Sequence, residues 1–182
     1  RLSYAFSKKI SVFGQIREEL KQQNSPNNTS PIDFITDRKR RNYVLNLDYK
    51  AEKFIGFRSR VQYSNLNFGG QFSQGYALMQ DVDLNVGKWE LKTRWALFDT
   101  DDFNNRQYAF EDDVLYSFSF PAYSGKGIRQ YGVLEYKFSK KLTFWLRYAR
   151  TRLLDVDNIG SGSTEIPGNV SSEIRVQARV KF

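Results

Sequence analysis

The chain has 182 residues and a formal net charge of +8, with no cysteine and no histidine. A mean hydropathy of −0.60 excludes a bundle of membrane-spanning helices, because each such helix needs about 20 consecutive apolar residues. The missing cysteine excludes disulfides and thiolate chemistry, and the missing histidine removes the commonest general base. The basic residues alternate with apolar ones or lie in turns, so no nucleic-acid partner is expected.

Nine segments alternate apolar and polar residues with a period of two, which predicts nine β-strands. The last segment shows the pattern clearly, since Ile174, Val176 and Val180 share one face and Arg175 and Arg179 the other. The predicted strands cover residues 2–6, 10–19, 42–51, 55–63, 76–86, 89–97, 134–138, 142–148 and 172–182.

The connections between these strands alternate in length. Short turns are expected at residues 7–9, 52–53, 87–88 and 139–141. Long, polar connections are expected near 22–40, 65–75, 99–127 and 155–171. Outer-membrane β-barrels have short periplasmic turns and long extracellular loops. Nothing in the architecture of a soluble β-sandwich requires such an alternation. The pattern therefore predicts an antiparallel transmembrane β-barrel, with the four long connections as extracellular loops.

The connection at 99–127 is the least regular segment. It begins with acidic residues, has a strand-like centre at 114–120, and ends with Pro121 and a Gly-Lys-Gly turn at 125–127. We expect one long extracellular excursion, either as a hairpin that rises above the membrane or as one that folds inward.

The odd number of predicted strands bears on the size of the barrel. Bacterial single-chain barrels have an even number of strands, and a closed sheet needs a partner for every edge. Residues 1–182 are therefore expected to form one barrel domain or barrel fragment, the carboxy-terminal part of a larger barrel. A compact 8-stranded barrel is the alternative, in which the short first segment leads into the barrel without being one of its strands.

The two faces of the predicted strands differ in chemistry. Aromatic residues cluster near the strand ends, as they do in the interfacial girdles of membrane barrels. The opposite face carries both signs of charge and is expected to line the lumen, where it either forms a pore that favours anions or is filled by cross-strand ion pairs. The basic lumen-facing candidates are Arg58, Arg60, Lys92, Arg94, Arg147, Arg175 and Arg179.

Acidic residues are concentrated in the connection at 99–127. Hard oxygen ligands at this density suit Ca²⁺, so Asp99, Asp101 and Asp102 are candidate metal ligands, with a solvated acidic loop as the alternative. The Gly and the bidentate Glu of a calcium loop are missing at the expected offsets. A Ser-His-Asp arrangement needs histidine, so neither an enzyme nor a cofactor is expected.

Four segments of the sequence carry a family resemblance: residues 97–102 (LFDTDD), 108–116 (YAFEDDVLY), 120–129 (FPAYSGKGIR) and 174–182 (IRVQARVKF). They resemble the carboxy-terminal barrel of a Bacteroidota-type outer-membrane family whose members often carry a helix-hairpin-helix module before the barrel. In outer-membrane barrels generally, an alternating last strand that ends in Phe is the signal read by the barrel-assembly machinery. The resemblance thus gives Phe182 the role of assembly signal.

Together these features predict an integral outer-membrane β-barrel of a Gram-negative bacterium, with a structural or pore-forming role, on its own or as a subunit of an envelope complex. Its expected partners are outer-membrane lipid and the barrel-assembly machinery. A diffusion channel for small polar or anionic solutes is one alternative, and an outer-membrane enzyme is the other.

Overall fold

The computed structural model describes residues 1–25, 29–160 and 162–182. Its strands are, in chain order, β1 (Leu2–Ala5), β2 (Ile10–Asn24), β3 (Ile35–Glu52), β4 (Ile55–Phe68), β5 (Gln71–Val86), β6 (Trp89–Thr100), β7 (Gln107–Tyr108), β8 (Ala122–Tyr123), β9 (Lys126–Lys137), β10 (Leu142–Leu153), β11 (Asn158–Ile159), β12 (Ile166–Pro167) and β13 (Val170–Val180). Two short 3₁₀ turns are the helical elements of this described part, and none has the length and hydropathy needed to span a membrane.

One antiparallel sheet contains nine of these strands, in the order β1-β2-β3-β4-β5-β6-β9-β10-β13. These are the nine strands that the sequence predicts, so the all-β, antiparallel fold is confirmed. The remaining strands form two small pairs, β7 with β8 and β11 with β12. They lie within the two longest connections of the sheet, at 101–125 and 154–169.

Alternation in the sequence becomes two distinct faces because paired residues on neighbouring strands point the same way. Leu146 of β10 pairs with Val176 of β13, and the next pair along the strands, Arg147 with Arg175, points to the opposite side. The same register continues across the sheet. We call the side of Leu146 and Val176 the apolar face and the side of Arg147 and Arg175 the charged face.

The sheet is open, with β1 and β13 at its edges. Because β1 has only four residues and pairs with residues 11–14, residues 15–24 of β2 have a strand neighbour on one side only within the described part of the chain. The strand β13 likewise pairs with β10 alone. Both edges therefore present backbone N–H and C=O groups to which further strands could bind.

The predicted loop at 22–40 is wrong in its bounds, because β2 and β3 extend into it from both sides. Residues 26–28 of that loop lie outside the described residues. The extended strand ends are charged, and Arg41 Nε donates to Glu18 Oε2 across the strands at 2.5 Å. Cross-strand ion pairs thus support the strands where the apolar alternation ends.

The predicted loop at 65–75 is also too long, because β4 and β5 pair as far as Phe68 with Gln71. Only Gly69 and Gly70 form the turn, with φ of 59° and 78°. Glycine adopts this left-handed conformation without steric cost, which permits a two-residue hairpin turn. The Asn- and Gln-rich flanks form strands because ladder hydrogen bonds join backbone groups and do not depend on apolar side chains.

The buried side chains lie on the charged face, beneath residues 101–125. One buried cluster is Ala77, Met79, Ala96, Phe98, Ala109 and Tyr123. A second is Val114, Tyr131, Val133, Trp145 and Ala149. The core is therefore a layer between one side of the sheet and a single connection.

The apolar face, in contrast, is uncovered. Leu97 is 51% exposed and Val176 is 74% exposed, and the same holds along the middle of most strands. A soluble sheet with one covered side buries its apolar residues there and turns its charges to water. In this sheet the covered side holds buried charges such as Arg94 and Arg147 beside the two apolar clusters, and the uncovered side is the apolar one.

Candidate functional site

Residues 107–123 form a hairpin that lies on the charged face, and we call it the folded-back hairpin. Its two strands are β7 and β8, and a further bridge joins Glu111 to Ser119. The tip turns at residues 114–117, where Tyr116 has a φ of 65° and Ser117 N–H donates to Val114 O at 3.1 Å. Of the two arrangements left open by the sequence, the structure shows the hairpin packed against the sheet.

The folded-back hairpin has two faces of opposite character, because alternate residues point toward and away from the sheet. The face against the sheet is buried and consists of Gln107, Ala109, Glu111 and Tyr123. The face that points away is 37% to 73% exposed, and we call it the aromatic patch: Tyr108, Phe110, Phe118 and Phe120. Tyr108 stacks on Phe120 with ring centroids 5.4 Å apart, and the rings of Phe110 and Phe118 are tilted against each other with centroids 5.6 Å apart.

Glu111 is the centre of the contact between the hairpin and the sheet, and its side chain is fully buried. Arg129 binds it in a bidentate manner, with Nε donating to Oε1 at 2.6 Å and Nη2 to Oε2 at 2.8 Å. Arg147 Nη2 donates to Oε2 at 2.7 Å, and the Tyr123 hydroxyl donates to Oε1 at 2.9 Å. Two guanidiniums and a hydroxyl thus compensate the loss of water around this carboxylate.

The electrostatics of the hairpin follow from these contacts. Burial disfavours the charged form of Glu111, but the hydrogen bonds and charge of Arg129, with those of Tyr123 and Arg147, hold its pKa below the usual value. Burial, and then the charge of Glu111, raise the pKa of Tyr123. At neutral pH the pair is therefore a carboxylate that accepts from a protonated phenol.

Two more acids at the hairpin tip bind cations of the sheet. Asp113 forms an ion pair with Arg175, and the Nε of Arg147 lies 3.7 Å from its other oxygen. Asp112 accepts from Lys92 Nζ at 3.2 Å. The acidic run at 111–113 thus neutralises cations on four strands, β6, β9, β10 and β13.

Arg94 links the sheet to the hairpin in the same way. It is 6% exposed, and its Nε and Nη2 donate to the two oxygens of Asp81 at 2.5 and 2.7 Å. Its remaining nitrogen, Nη1, donates to the backbone oxygen of Phe110 at 2.7 Å. The hairpin backbone therefore completes the hydrogen bonding of a buried cation.

The base of the hairpin is held by neutral polar groups. Gln107 Nε2 donates to Ser64 Oγ and to Asn105 O, each at 2.7 Å, and Ser64 Oγ donates to Asn105 Oδ1 at 2.9 Å. Gly75 lies directly beneath, where an added Cβ would be 2.7 Å from the backbone oxygen of Asn105. The absence of a side chain at this position allows the hairpin to begin so close to β5.

All seven basic residues predicted to face a lumen lie on the charged face. Four of them bind acids or backbone of the hairpin: Lys92, Arg94, Arg147 and Arg175. Arg58 pairs with Asp48 at 2.5 Å, and the Arg179 guanidinium lies 5.3 Å from the Trp145 ring centroid. Arg60 has no carboxylate partner among the described residues, and its Nε is buried without a hydrogen bond.

The predicted metal ligands are not brought together. Asp99 pairs with Lys126 at 3.6 Å, Asp101 accepts from a backbone N–H of β5 at 2.8 Å, and Asp102 caps the following 3₁₀ turn. Within the part of the chain that the structure describes, no group of three or more acidic side chains is arranged to hold a metal ion. These aspartates fix the backbone at the point where the chain leaves β6.

Several residues of the site are not apparent from the sequence reasoning, above all Arg129, Tyr123 and Gln107. The sequence does contain a pattern that indicates this strand face, since Gln107, Ala109 and Glu111 alternate with aromatic residues. The predicted strand at 134–138 starts too late, whereas β9 begins at Lys126 and carries Arg129 on the charged face.

Comparison of the chain with known protein families, curated proteins and solved structures finds no match. The resemblance to a Bacteroidota-type outer-membrane family therefore stays a prediction.

Proposed function

We propose that the chain forms the carboxy-terminal part of an outer-membrane β-barrel whose lumen is narrowed by the folded-back hairpin. The observation that carries this proposal is the reversed sheet: buried charges such as Arg147, at 0% exposed, lie on one side, and exposed aliphatic residues such as Val176 lie on the other. Acyl chains would cover the apolar face, and the hairpin and water would meet the charged face.

The position of the apolar residues supports a tilted, barrel-like sheet. One register row joins Ile10, Tyr49, Phe57, Val82, Thr93, Gly132, Tyr148 and Ile174. On β2 the apolar residues extend from this row to Ile16, toward the long connections, whereas on β13 they extend to Val180, toward the short turns. The band of apolar residues thus shifts along the strands by about six residues between β2 and β13, which are about seven strand pairs apart. At ~3.3 Å per residue and ~4.8 Å between strands, this corresponds to a tilt of about 30°, near the ~35–45° typical of barrels.

Aromatic pairs mark the borders of this band, as expected for interfacial girdles. On the side of the short turns, Trp89 stacks on Tyr136 with ring centroids 4.1 Å apart. On the side of the long connections, the rings of Tyr43 and Tyr63 lie 5.9 Å apart. Both pairs are on the apolar face.

Outward-facing cations begin where the band ends. Arg150 and Arg152 follow Tyr148 on the apolar side of β10, and Arg41 follows Tyr43 in the direction of the long connections. Such positions suit the headgroup region, where charged side chains cost little. The sequence of layers along a strand is therefore that of a membrane-spanning segment.

The hairpin favours a structural barrel with a restricted lumen over a wide pore. It lies across strands from β4 to β13 and is held by the buried pairs around Glu111 and Arg94. The second candidate function is a diffusion channel for small polar or anionic solutes. It is favoured by Arg60 and Arg40, cations of the charged face without a carboxylate partner in the described residues.

The open edges of the sheet indicate what would have to bind beside it. Further strands at β13 and at residues 15–24 would complete the barrel, since unpaired strand edges are not stable in lipid. Phe182 lies beyond the end of β13 with its ring exposed, and its role as an assembly signal stays a prediction. Outer-membrane lipid, the barrel-assembly machinery and an envelope complex are the proposed partners.

Cell fractionation and gel mobility test the barrel. We expect the protein in the outer-membrane fraction and a folded band that changes mobility after boiling. Recovery in the soluble fraction, with one band unaffected by boiling, would contradict the proposal. Single-channel recording then separates the two roles. The restricted barrel predicts a low conductance, which increases when residues 107–123 are replaced by a short Gly-Ser linker. The channel predicts a large, anion-selective conductance of the intact protein.

A further inference from the structure

The aromatic patch is unusual because it is exposed on the charged side of the sheet. The rings of Phe118 and Phe120 are 73% and 50% exposed, and they lie on the side away from the apolar band. Within the proposed barrel these rings would face water rather than acyl chains. Exposed patches of this kind on otherwise polar surfaces mark binding sites.

A basic cluster lies at the base of the hairpin, near the long connections. Its members are Arg17, Lys21, Arg38, Arg40 and Arg106. One carboxylate, that of Glu19, lies 3.0 Å from Lys21, 3.5 Å from Arg38 and 3.6 Å from Arg17. Neither Arg40 nor Arg106 has a carboxylate partner among the described residues, and Arg40 Nε is buried without a hydrogen bond. The cluster therefore has a large excess of positive charge.

The cluster and the patch are continuous. Arg40 Nη2 donates to the backbone oxygen of Arg106 at 3.2 Å, and Arg106 Nε donates to the Tyr108 hydroxyl at 2.5 Å. The ring of Tyr108 then stacks on Phe120. One surface thus joins guanidiniums that have no carboxylate partner among the described residues to exposed aromatic rings.

This combination defines the chemistry of a ligand. Phe118 and Phe120 are the exposed rings beside this cluster, so a ligand that stacks on them keeps its other side in water and must be flat and polar at its edges. Sugar rings meet this requirement, because their C–H faces stack on aromatic rings while their hydroxyls stay hydrated. The excess of cations requires negative charge on the same molecule.

We propose that the basic cluster and the aromatic patch bind an acidic oligosaccharide, with its carboxylates or sulfates at Arg40 and Arg106 and its ring faces on Phe118 and Phe120. The assignment rests on the proposed barrel, since only a water-filled lumen would leave the patch accessible to such a solute. The competing occupant is protein, namely the opposite wall of the completed barrel. The charge excess beside the patch favours the anionic ligand.

Calorimetric titration of the detergent-folded, full-length protein tests the proposal. The probes are tetragalacturonate and the neutral tetrasaccharide maltotetraose, which share four pyranose rings and differ in charge. Tetragalacturonate is expected to bind at least tenfold more tightly, with an affinity that falls as salt increases. Equal binding of both probes, or binding of neither, would overturn the proposal, and absence of binding is the result expected if the barrel wall covers the patch.

Variants locate the site. The double change F118A/F120A and the change R106Q are each expected to weaken tetragalacturonate binding by about tenfold, because they remove the stacking surface and one of the cations. F72A is the control, since Phe72 is 63% exposed on the apolar face. Equal affinities of all three variants would overturn the proposal. Each sample is first examined for a heat-sensitive folded band, so that loss of the barrel is distinguished from loss of the ligand site.

Discussion

At the scale of single residues, the arrangement around Glu111 decides how the hairpin is held. A buried ion pair gains little net stability over apolar packing, but loss of one partner leaves an uncompensated charge. Here Arg129 and Arg147 are both exposed 15% or less and share the one carboxylate. The network thus fixes one position of the hairpin on the sheet.

We predict that Glu111→Gln destabilises the fold by about 3–5 kcal/mol, because Arg129 and Arg147 lose their shared countercharge. Denaturant unfolding of the purified protein measures the change. Glu52→Gln is the matched control, since the Glu52 carboxylate is 61% exposed and its ion pair with Lys9, at 3.7 Å, contributes little. Similar small effects of both substitutions would contradict this account of the network.

Acid is expected to loosen the hairpin. The folded-state pKa of Glu111 lies below its ordinary value of 4.5, so its contribution to stability is complete above pH 4.5 and is lost as the pH falls through the lower, folded value. The protection factors of the hairpin amides, which compare each exchange rate with the intrinsic rate at the same pH, should therefore fall below pH 4.5 in the wild type. In Glu111→Gln this pH-dependent component should be absent, and an unchanged pH profile in that variant would refute the assignment.

At the scale of elements, the hairpin and the sheet turn their polar faces toward each other and their apolar faces away from each other. In the sheet the charged residues face the hairpin, and in the hairpin Glu111 and Gln107 face the sheet while Phe118 faces outward. The alternation that creates these two faces is present in the sequence. Which of the two faces packs on the sheet is not apparent from the sequence, because it depends on Arg129 and Arg147, which belong to two later strands.

We predict that Gly75→Ala displaces the base of the hairpin, since the new Cβ would lie 2.7 Å from Asn105 O and 2.8 Å from a methyl carbon of Thr100. Overpacking of this kind costs about 1–3 kcal/mol and should speed hydrogen exchange at Gln107. Gly14→Ala is the control in the same sheet, because no atom lies within 4 Å of its added Cβ. A Gly75→Ala protein with wild-type exchange at the hairpin would show that the close approach is unimportant.

At the scale of the whole molecule, the nine-stranded antiparallel sheet was largely predictable from the sequence, whereas its closure into a barrel stays a proposal. The alternation of Leu146, Arg147 and their neighbours specifies the strands and their faces. Each strand of the sheet then pairs with the next one in chain order, across short turns and long connections alike. The bounds near residues 22–40 were missed because cross-strand pairs such as Arg41 with Glu18 need the register before they can be recognised. Closure depends on strand partners beyond β1 and β13, which residue patterns within this chain do not specify.

A charge placed in the centre of the apolar band should be costly in a bilayer. We predict that Leu146→Arg destabilises the folded protein in lipid by about 2–4 kcal/mol, as charged substitutions do near the bilayer midplane. Leu154→Arg should have little effect, because Leu154 is 50% exposed and follows the end of β10. Equal effects of the two changes on urea unfolding in vesicles would be inconsistent with acyl chains on this face.

Which face of the sheet contacts lipid is measured most directly by the accessibility of spin labels placed along β10 in reconstituted vesicles. Labels at Phe144, Leu146 and Tyr148 should collide with lipid-dissolved oxygen and be shielded from a water-soluble nickel complex. Labels at Arg147 and Ala149, on the charged face, should lack this oxygen exposure. Oxygen shielding at all five positions, or access of the nickel complex to Leu146, would contradict a lipid-facing apolar surface.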